Sequence, residues 1–580
     1  MKAFIAVVVA AFTFAQAHAA SSVTPLFESY WEDTARLYPE NATFRGDHRY
    51  GDRFSDRSEA GLAAEESYWR ALQKKVRGVD RSALSPADRV SLELLQRSAD
   101  DTVLLLGYRG YRSMRVSAHP FAFQGFFAQL ARAAPVETTA QVEQLLARMA
   151  AYPRLVDQEL AIMKRGAAEG WIPMRASLKT ALSQIDGQLV AVDKSPLFEP
   201  FGRLGAAIPA SERDRLRERA MKAIGDQVLP ALRRLREYVA GDYLAKAPEE
   251  GGLARYPRGP EVYAALVRIH TTTDMTPQAI HDVGLREGER LRGEMEAVMR
   301  ETGYKDGFAA FIRYLNTDPK FFHASGDEML EAYRAMSKRI DPELPRLFAE
   351  LPRAPYGVRA MPEFMGPDAA ESYTNPSLDG TRPGYFNANV LAYRVRPKWV
   401  MEALMAHEGV PGHHLQMARS VELKDLPAFR RSAFFTAYME GWAVYSETLG
   451  ADLGLYKDPY SRFGALQFQA WRAARLVVDT GIHALGWNRK QAIDYMVERT
   501  GLDAGRVESE VDRYYSWPGQ SLAYMIGKIR IVELRDRAKA ALGDRFDLRR
   551  FHMVVLDTGP VPLDLLGTLV DEWIASQKKG

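Results

Sequence analysis

The sequence predicts a mainly α-helical protein with one small β element. Apolar residues recur at three- and four-residue spacing through most of the 580-residue chain, the pattern of amphipathic helices. Helix-start signals precede such runs at Ser85, Thr276 and Asn488. Strand-like alternation is scarce, and the one good candidate is 383–390, after a turn-rich stretch. At this length we expect two lobes or one large compound helical domain.

The N-terminal segment has the three-part pattern of a secretory signal peptide. Lys2 supplies a basic start, residues 3–15 are almost entirely apolar, and residues 17–19 (AHA) form a small-x-small cleavage pattern. The apolar run is too short to span a bilayer comfortably, and no later run of about 18 apolar residues occurs. We therefore predict a cleaved signal peptide at 1–19, no membrane span, and a periplasmic or secreted protein. No Cys follows the cleavage site, so we expect no lipid there; the alternative is a buried N-terminal helix.

A break in the helical pattern divides the rest of the chain. Residues 247–260 (APEEGGLARYPRGP) are rich in Pro and Gly and lack helical periodicity. We place an N-terminal helical lobe at 20–250 and a second helical lobe at 251–580. The sequence contains no repeat of fixed period, and no feature in it indicates an oligomeric state.

Composition excludes several classes of function. The chain has 77 Lys+Arg against 74 Asp+Glu, so it offers no broad cationic surface for phosphates and we expect no nucleic-acid partner. It has no Cys, which excludes a Cys nucleophile and a disulfide framework. Any transition-metal site must therefore be built from His, Asp and Glu.

Three of the 11 histidines lie within residues 407–414 (HEGVPGHH), directly after a predicted helix. In the zinc-peptidase pattern HExxH, two His lie four residues apart on one helix face, and the Glu beside the first is the base. Here the fourth residue after His407 is Pro411, so the pattern is not met. On a straight helix, a residue six positions on is rotated by about 240°, and one seven positions on is raised by about 10.5 Å.

Pro411 and Gly412 disfavour a straight helix, because Pro removes a backbone donor and Gly permits unusual dihedral angles. Looping out two residues would bring His413 to the position of the second ligand of HExxH. We therefore predict His407 as the first metal ligand and His413, ahead of His414, as the second, with His414 beside the site; the reverse assignment of His413 and His414 stays open. The alternative is that these histidines occupy a helix end and a loop without a metal.

A carboxylate third ligand is predicted on the downstream apolar helix at 434–447. This helix carries Glu440 and Glu447, which are seven residues apart and therefore on one face. Charged groups in such a helix are costly unless they are paired or bind a metal. We assign Glu440 as the third ligand and Glu447 as the partner of a ligand histidine.

Four ordered motifs resemble the bacterial "domain of unknown function 885" family: HEGVPGHHLQ, EGWAVYSETLG, RLVVDTGIHALGW and YYSWPGQSLAYMIGKIRIVELR. The resemblance covers most of the mature chain and is strongest from Tyr373 to Arg535. That family is similar to the helical gluzincin peptidases: thimet oligopeptidase, angiotensin-converting enzyme and the Taq-type carboxypeptidase. The resemblance implies a two-lobed, helical, zincin-like peptidase body with a small β element beside the active-site helix. It also implies one zinc, held by the HE-x4-H site in 251–580.

Residue by residue, His407 matches the first zinc His of these relatives, Glu408 the catalytic Glu, His413 the second His and Glu440 the downstream Glu. The family departs from them in replacing HExxH by HE-x4-H.

Tyr524 is similar to a C-terminal tyrosine that assists the reaction in the carboxypeptidase relatives. Tyr515 is the next choice for that donor, and either ring is equally suited to core packing.

Substrate-binding candidates are more widely spread. Tyr385 and Asn387 lie on the predicted strand, which either binds an extended peptide by strand addition or forms a structural hairpin. His483 lies four residues after Asp479 and is either a substrate contact or half of a local Asp–His pair.

Three basic residues are candidates for holding a substrate carboxylate: Arg382, Arg513 and Lys528.

Together the assignments predict an exported zinc metallopeptidase of oligopeptidase, dipeptidase or carboxypeptidase type, with Glu408 as general base acting on zinc-activated water. One alternative is a zinc amidohydrolase of a non-peptide amide. The other is a non-catalytic binding protein with the same fold, against which Glu408 argues because a metal scaffold needs no base.

Overall fold

The computed structural model describes residues 23–362, 366, 369–377, 380 and 382–579. The predicted signal peptide at 1–19 lies outside the described residues. The structure is 69% helical with one small three-stranded sheet, which confirms the predicted mainly-α fold. Within the described ranges, no helix combines the length and hydropathy that crossing a bilayer requires.

The helices of the N-terminal part are α1 (Thr24–Leu37), α2 (Pro39–Phe44), α3 (Glu59–Arg77), α4 (Pro86–Leu106), α5 (Arg109–Arg112), α6 (Phe123–Ala133), α7 (Thr139–Ala168), α8 (Arg175–Asp186), α9 (Glu199–Gly202), α10 (Ala210–Ala223) and α11 (Leu229–Tyr238). The remaining helices are α12 (Gly259–Thr271), α13 (Pro277–Glu301), α14 (Phe308–Thr317), α15 (Gly326–Ile340), α16 (Met401–Glu408), α17 (His413–Glu422), α18 (Ala428–Arg431), α19 (Thr436–Thr448), α20 (Pro459–His483), α21 (Arg489–Thr500), α22 (Ala504–Ser516), α23 (Ala523–Leu542), α24 (Leu548–Asp557) and α25 (Leu563–Lys579).

The predicted helix starts are confirmed as N-caps. The side chains of Ser85, Thr276 and Asn488 each accept a backbone N–H from the first turn of α4, α13 and α21. At Asn488 the bond is reciprocal, since the side chain of Gln491 accepts the backbone N–H of Asn488. Each cap satisfies a donor that the first helical turn leaves without a partner.

The sheet consists of β1 (Tyr356–Ala360), β2 (Ser372–Thr374) and β3 (Gly384–Ala388) in the order β1-β3-β2. The predicted strand at 383–390 is confirmed as β3. It runs parallel to β1 and antiparallel to β2, so both of its edges are hydrogen-bonded. Strand addition needs a free edge, and the hypothesis that this strand pairs with a peptide is therefore wrong.

Buried apolar side chains form distinct cores. Those of 23–106 and most of those of 253–574, with Trp171, make one core, and those of 116–247 make a second. A third, smaller core lies between α20, α21 and α22 and contains Trp471, Val478, Met496 and Tyr514. The second core ends near the predicted boundary at residue 250, whereas residues 23–106 share the core of the C-terminal part. The division into lobes at 20–250 and 251–580 stays a prediction.

Helix α20 lies at the centre of the C-terminal part and is buried along almost its whole length. It packs against α13, α16, α19, α21 and α23. Helix α19 in turn packs closely on α23 and contacts α16 and α17. The segments that carry the predicted metal ligands therefore meet around α19 and α20.

Candidate metal centre

Residues 409–412 interrupt the helix between α16 and α17. Helix α16 ends at Glu408, and Gly409 and Gly412 leave helical geometry with ψ of −126° and −127°. A Cβ atom on Gly412 would lie 2.0 Å from the carbonyl O of His407, so only glycine fits this close approach. The predicted interruption of the helix at Pro411 and Gly412 is confirmed.

The three predicted ligands lie close together around this interruption. The Nε2 atoms of His407 and His413 lie 3.6 and 3.4 Å from Oε2 of Glu440, and the three ligand atoms lie within 4.8 Å of one another. The two imidazole rings are nearly perpendicular, with centroids 4.9 Å apart. Both histidines are buried and Glu440 is largely so.

The donor set fits a divalent cation such as zinc. Ligands bonded tetrahedrally at about 2.1 Å lie about 3.4 Å apart, close to the two distances around Glu440. Oε2 of Glu440 is buried and has no hydrogen-bond partner among the described residues. A buried carboxylate oxygen in that state is costly unless it binds a cation.

The ionisation states of the centre also suit a cation. Burial alone would raise the pKa of Glu440, but His407 and His413 beside it hold that pKa well below its ordinary value. Burial lowers the pKa of His407, and the carboxylates of Glu440 and Glu447 outweigh burial and raise it. Glu440 is therefore an anion over the physiological pH range.

Glu447 orients His407 from the opposite side. Nδ1 of His407 and Oε1 of Glu447 are 2.8 Å apart, and Nη2 of Arg472 lies 3.2 Å from the same oxygen. With Nδ1–H donating to this fully buried carboxylate, the Nε2 lone pair of His407 faces Glu440 and His413. Such a carboxylate–histidine pair fixes the tautomer and orientation that a metal ligand needs.

His414 points away from the centre into the sheet. Its Nε2–H donates to the carbonyl O of Ala354 at 3.1 Å, and its Nδ1 accepts the hydroxyl of Tyr373 at 2.8 Å. The ring stacks on Tyr356 with centroids 4.4 Å apart. Burial lowers the pKa of His414 to about 4, so it is neutral and fully hydrogen-bonded.

Glu408, the last residue of α16, is buried beside the ligands. Burial raises the pKa of its carboxyl group to about 8, with the charge of His413 opposing this rise and the charges of Glu440 and Glu371 adding to it. A carboxyl group that titrates near neutral pH can both accept and release a proton, which is what a general base requires.

The two tyrosine candidates differ in position. Tyr524 lies on α23 and accepts a hydrogen bond from Nε2 of Gln520 at 3.4 Å. Burial and the charge of Glu440 raise its pKa, so the hydroxyl is protonated and can donate a hydrogen bond. Tyr515 instead lines a cavity of about 260 Å³ with His119 and His483.

The remaining sequence candidates have structural partners outside the centre. Nδ1 of His483 accepts the backbone N–H of Leu253 at 3.0 Å, and its Nε2–H donates to the carbonyl O of Tyr514 at 3.1 Å. No ring nitrogen of His483 is left for a substrate. Lys528 is half-buried on α23, and burial lowers its pKa, which the charge of Glu287 opposes.

On the sheet, the amide of Asn387 donates to Thr374 Oγ1 at 2.9 Å and accepts from Nε of Arg359 at 2.7 Å. The guanidinium of Arg359 also covers the ring of Tyr385 at 4.2 Å. Arg382 is exposed, and its backbone N–H donates to Ser377 Oγ at 2.9 Å. The geometry gives these three candidates no contact with the metal ligands.

Sequence reasoning missed three of four arginines that we term the arginine cluster. Arg472, Arg475 and Arg506 cover the ring of Trp471, and Arg513 shares the carboxylate of Glu510 with Arg475. Only Arg513 was a sequence candidate. The sequence contains a signal that could have identified them, because Arg472 and Arg475 lie in the largely apolar sequence of α20. Charged residues in such a run are rarely buried without a partner or a function.

Comparison with known proteins places the chain in a family. The family described as bacterial protein of unknown function (DUF885) matches residues 39–570, and no curated protein matches the chain. A crystal structure of a protein provisionally described as a lipoprotein of Colwellia psychrerythraea is 27% identical with a TM-score of 0.90, covering 96% of this chain and 100% of that one.

A second solved structure, provisionally described as a lipoprotein of unknown function from Shewanella oneidensis, is 20% identical with a TM-score of 0.72, covering 95% and 100% of the two chains. It shows the same fold. A structure provisionally described as an oligoendopeptidase F of Bacillus anthracis str. Ames is 12% identical over 88% and 96% of the two chains, with a TM-score of only 0.29. That likeness is too low to support an argument.

Proposed function

The chain belongs to the bacterial DUF885 family of proteins of unknown function, and we propose that it is a zinc-dependent metallopeptidase that hydrolyses short peptides. The proposal is carried by the convergence of His407, His413 and Glu440 next to Glu408. A buried carboxyl group beside a metal-binding triad is suited to activating metal-bound water, a role that a purely structural metal site does not need.

When bound, zinc supplies Lewis acidity towards the scissile carbonyl and makes water a stronger nucleophile near neutral pH. Glu408 accepts the proton of the attacking water and passes it to the leaving amine. The hydroxyl of Tyr524 donates a hydrogen bond to the oxyanion that develops on the carbonyl oxygen. Glu447 holds His407 in the tautomer that leaves Nε2 free.

We also propose that the protein acts outside the cytoplasm. Support comes from the signal-like segment at 1–19 and from the provisional description of two structural relatives as lipoproteins. Cell fractionation of the native host, with detection by an antibody against the chain, would show which compartment contains the protein.

The peptidase proposal is tested with the purified chain and two variants. We expect metal analysis to find about one zinc per chain. We also expect the protein to hydrolyse short peptides, as measured by mass spectrometry, and a chelator to abolish this hydrolysis. Glu408→Gln should keep the zinc but lower kcat by about 10²- to 10⁴-fold, the usual contribution of a general base. Glu498→Gln makes the same chemical change at an exposed position on α21 and should leave kcat unchanged.

Absence of stoichiometric zinc would contradict the metal centre. Full activity of Glu408→Gln would contradict the role of the base. Zinc-dependent hydrolysis of non-peptide amides alone would replace the peptidase by an amidohydrolase.

A further inference from the structure

The arginine cluster has more buried positive charge than its surroundings neutralise. Its members share two carboxylates: Glu447, which lies 3.2 Å from Nη2 of Arg472, and Glu510. Oε2 of Glu510 lies 3.2 Å from Nη2 of Arg475 and 2.9 Å from Nη2 of Arg513. Buried guanidinium groups are costly without an anionic partner.

Arg506 is the member with no carboxylate partner among the described residues. Its guanidinium stacks on the ring of Trp471 at 4.6 Å, and the side chain is half-buried and so partly accessible. The two acids whose charges act on Arg506 are already engaged: Glu371 is bonded to Arg396 at 2.9 Å, and Glu510 is shared by Arg475 and Arg513. In addition, Nη1 of the buried Arg475 has no hydrogen-bond partner in the described part of the chain.

A short chain of contacts connects Arg506 to the metal centre. Trp471, under the guanidinium of Arg506, is also covered by Arg472 at 5.0 Å, and Arg472 reaches Glu447, the partner of His407. On the other side, the guanidinium of Arg475 lies 4.3 Å from the ring of Tyr524. Burial lowers the pKa of Arg506 to about 10, so it is still a cation at neutral pH.

We infer that Arg506 forms a carboxylate-binding subsite near the metal centre, so that the substrates are short peptides held by their free C-terminal carboxylate. The inference rests on the proposed peptidase function. A planar guanidinium that is fixed on an aromatic ring and free at its edge is well suited to bind a carboxylate through two hydrogen bonds. The carboxylate of an acidic side chain has the same chemistry and is the other possible source.

The test compares three peptides on the zinc-loaded chain: a neutral tripeptide with a free carboxylate, its C-terminal amide, and an amide that ends in Glu. We expect the free acid to have a kcat/KM about 10- to 100-fold above that of the neutral amide, the usual value of a charge-assisted hydrogen bond. Arg506→Gln should remove this preference by lowering kcat/KM of the free acid towards that of the neutral amide. Arg300→Gln, the same change at an exposed position on α13, is the control and should keep it.

The same peptides are also titrated calorimetrically onto the zinc-loaded Glu408→Gln protein, so that the subsite is tested even if no peptide is cleaved. Tighter binding of the free acid that Arg506→Gln abolishes supports the subsite for the main-chain carboxylate. Preference for the Glu amide instead assigns it to a side-chain carboxylate. Three results would overturn the inference: equal affinity for all three peptides, no binding of any of them, or a free-acid preference that survives in Arg506→Gln. Binding without cleavage would overturn only the peptidase function.

Discussion

His413 and His414 are adjacent in the sequence, but their side chains have different partners. Nε2 of His413 lies 3.4 Å from the carboxylate of Glu440, whereas both ring nitrogens of His414 are bonded within the protein, to Ala354 and Tyr373. The sequence favours His413 as the second ligand, because looping out two residues restores the spacing of HExxH. The hydrogen bonds of His414 could not be foreseen, because its partners are 60 and 41 residues away.

This difference predicts opposite effects of two neighbouring substitutions. His413→Ala should lower zinc affinity by at least about 100-fold, since it removes a direct ligand and not merely a supporting contact. His414→Ala should retain one zinc per chain but destabilise the protein by about 1–3 kcal/mol, because it removes a buried ring and leaves its half-buried partners without their hydrogen bonds. Zinc content and urea unfolding of both variants provide the measurements, and loss of zinc from His414→Ala alone would reverse the assignment.

At the scale of elements, the site depends on how closely α19 and α23 approach. Gly441 and Gly527 face each other, and a Cβ on Gly527 would lie 2.6 Å from Cα of Gly441 and 2.1 Å from the carbonyl O of Ala437. Helices approach this closely only through glycine, because any side chain would separate the backbones. The crossing sets the position of Glu440 on α19 relative to Tyr524 on α23.

Gly527→Ala should therefore destabilise the protein by about 1–3 kcal/mol, the usual cost of overpacking. Gly293→Ala is the matched control: Gly293 is exposed within α13, and a Cβ there meets no atom within 4 Å. That change should stabilise the protein by about 0.5–1 kcal/mol, because alanine favours the helix. Urea unfolding measures both, and two effects of the same sign would contradict the crossing geometry.

At the scale of the whole molecule, several histidines are kept neutral by burial in different parts of the chain. Burial lowers the pKa of His119, His270, His414 and His552 to about 4. In the unfolded chain each would have a pKa of about 6.5. Between about pH 6.5 and 4 the unfolded state therefore binds more protons than the folded state, and stability must fall as the pH falls.

We predict that the free energy of unfolding decreases between about pH 6.5 and 5 by up to about 1.4 kcal/mol per pH unit for each of these histidines. Urea unfolding at a series of pH values measures this slope. His552→Gln should reduce this slope by the contribution of one histidine, even if the substitution also changes the free energy of unfolding at neutral pH. A stability that stays constant over this range would contradict the prediction.

The sequence by itself determined the helical fold, the break at residues 409–412 and the residue types of the metal centre, because each depends on periodicity, on Pro and Gly, or on charges in an apolar run. The tertiary structure alone decided the rest: that β3 is a central strand, that His483 is fully bonded, and that Arg506 is connected through Trp471, Arg472 and Glu447 to His407. These features arise from contacts between distant segments, such as His483 and Leu253, which are 230 residues apart, and local patterns carry no information on which distant side chains will meet.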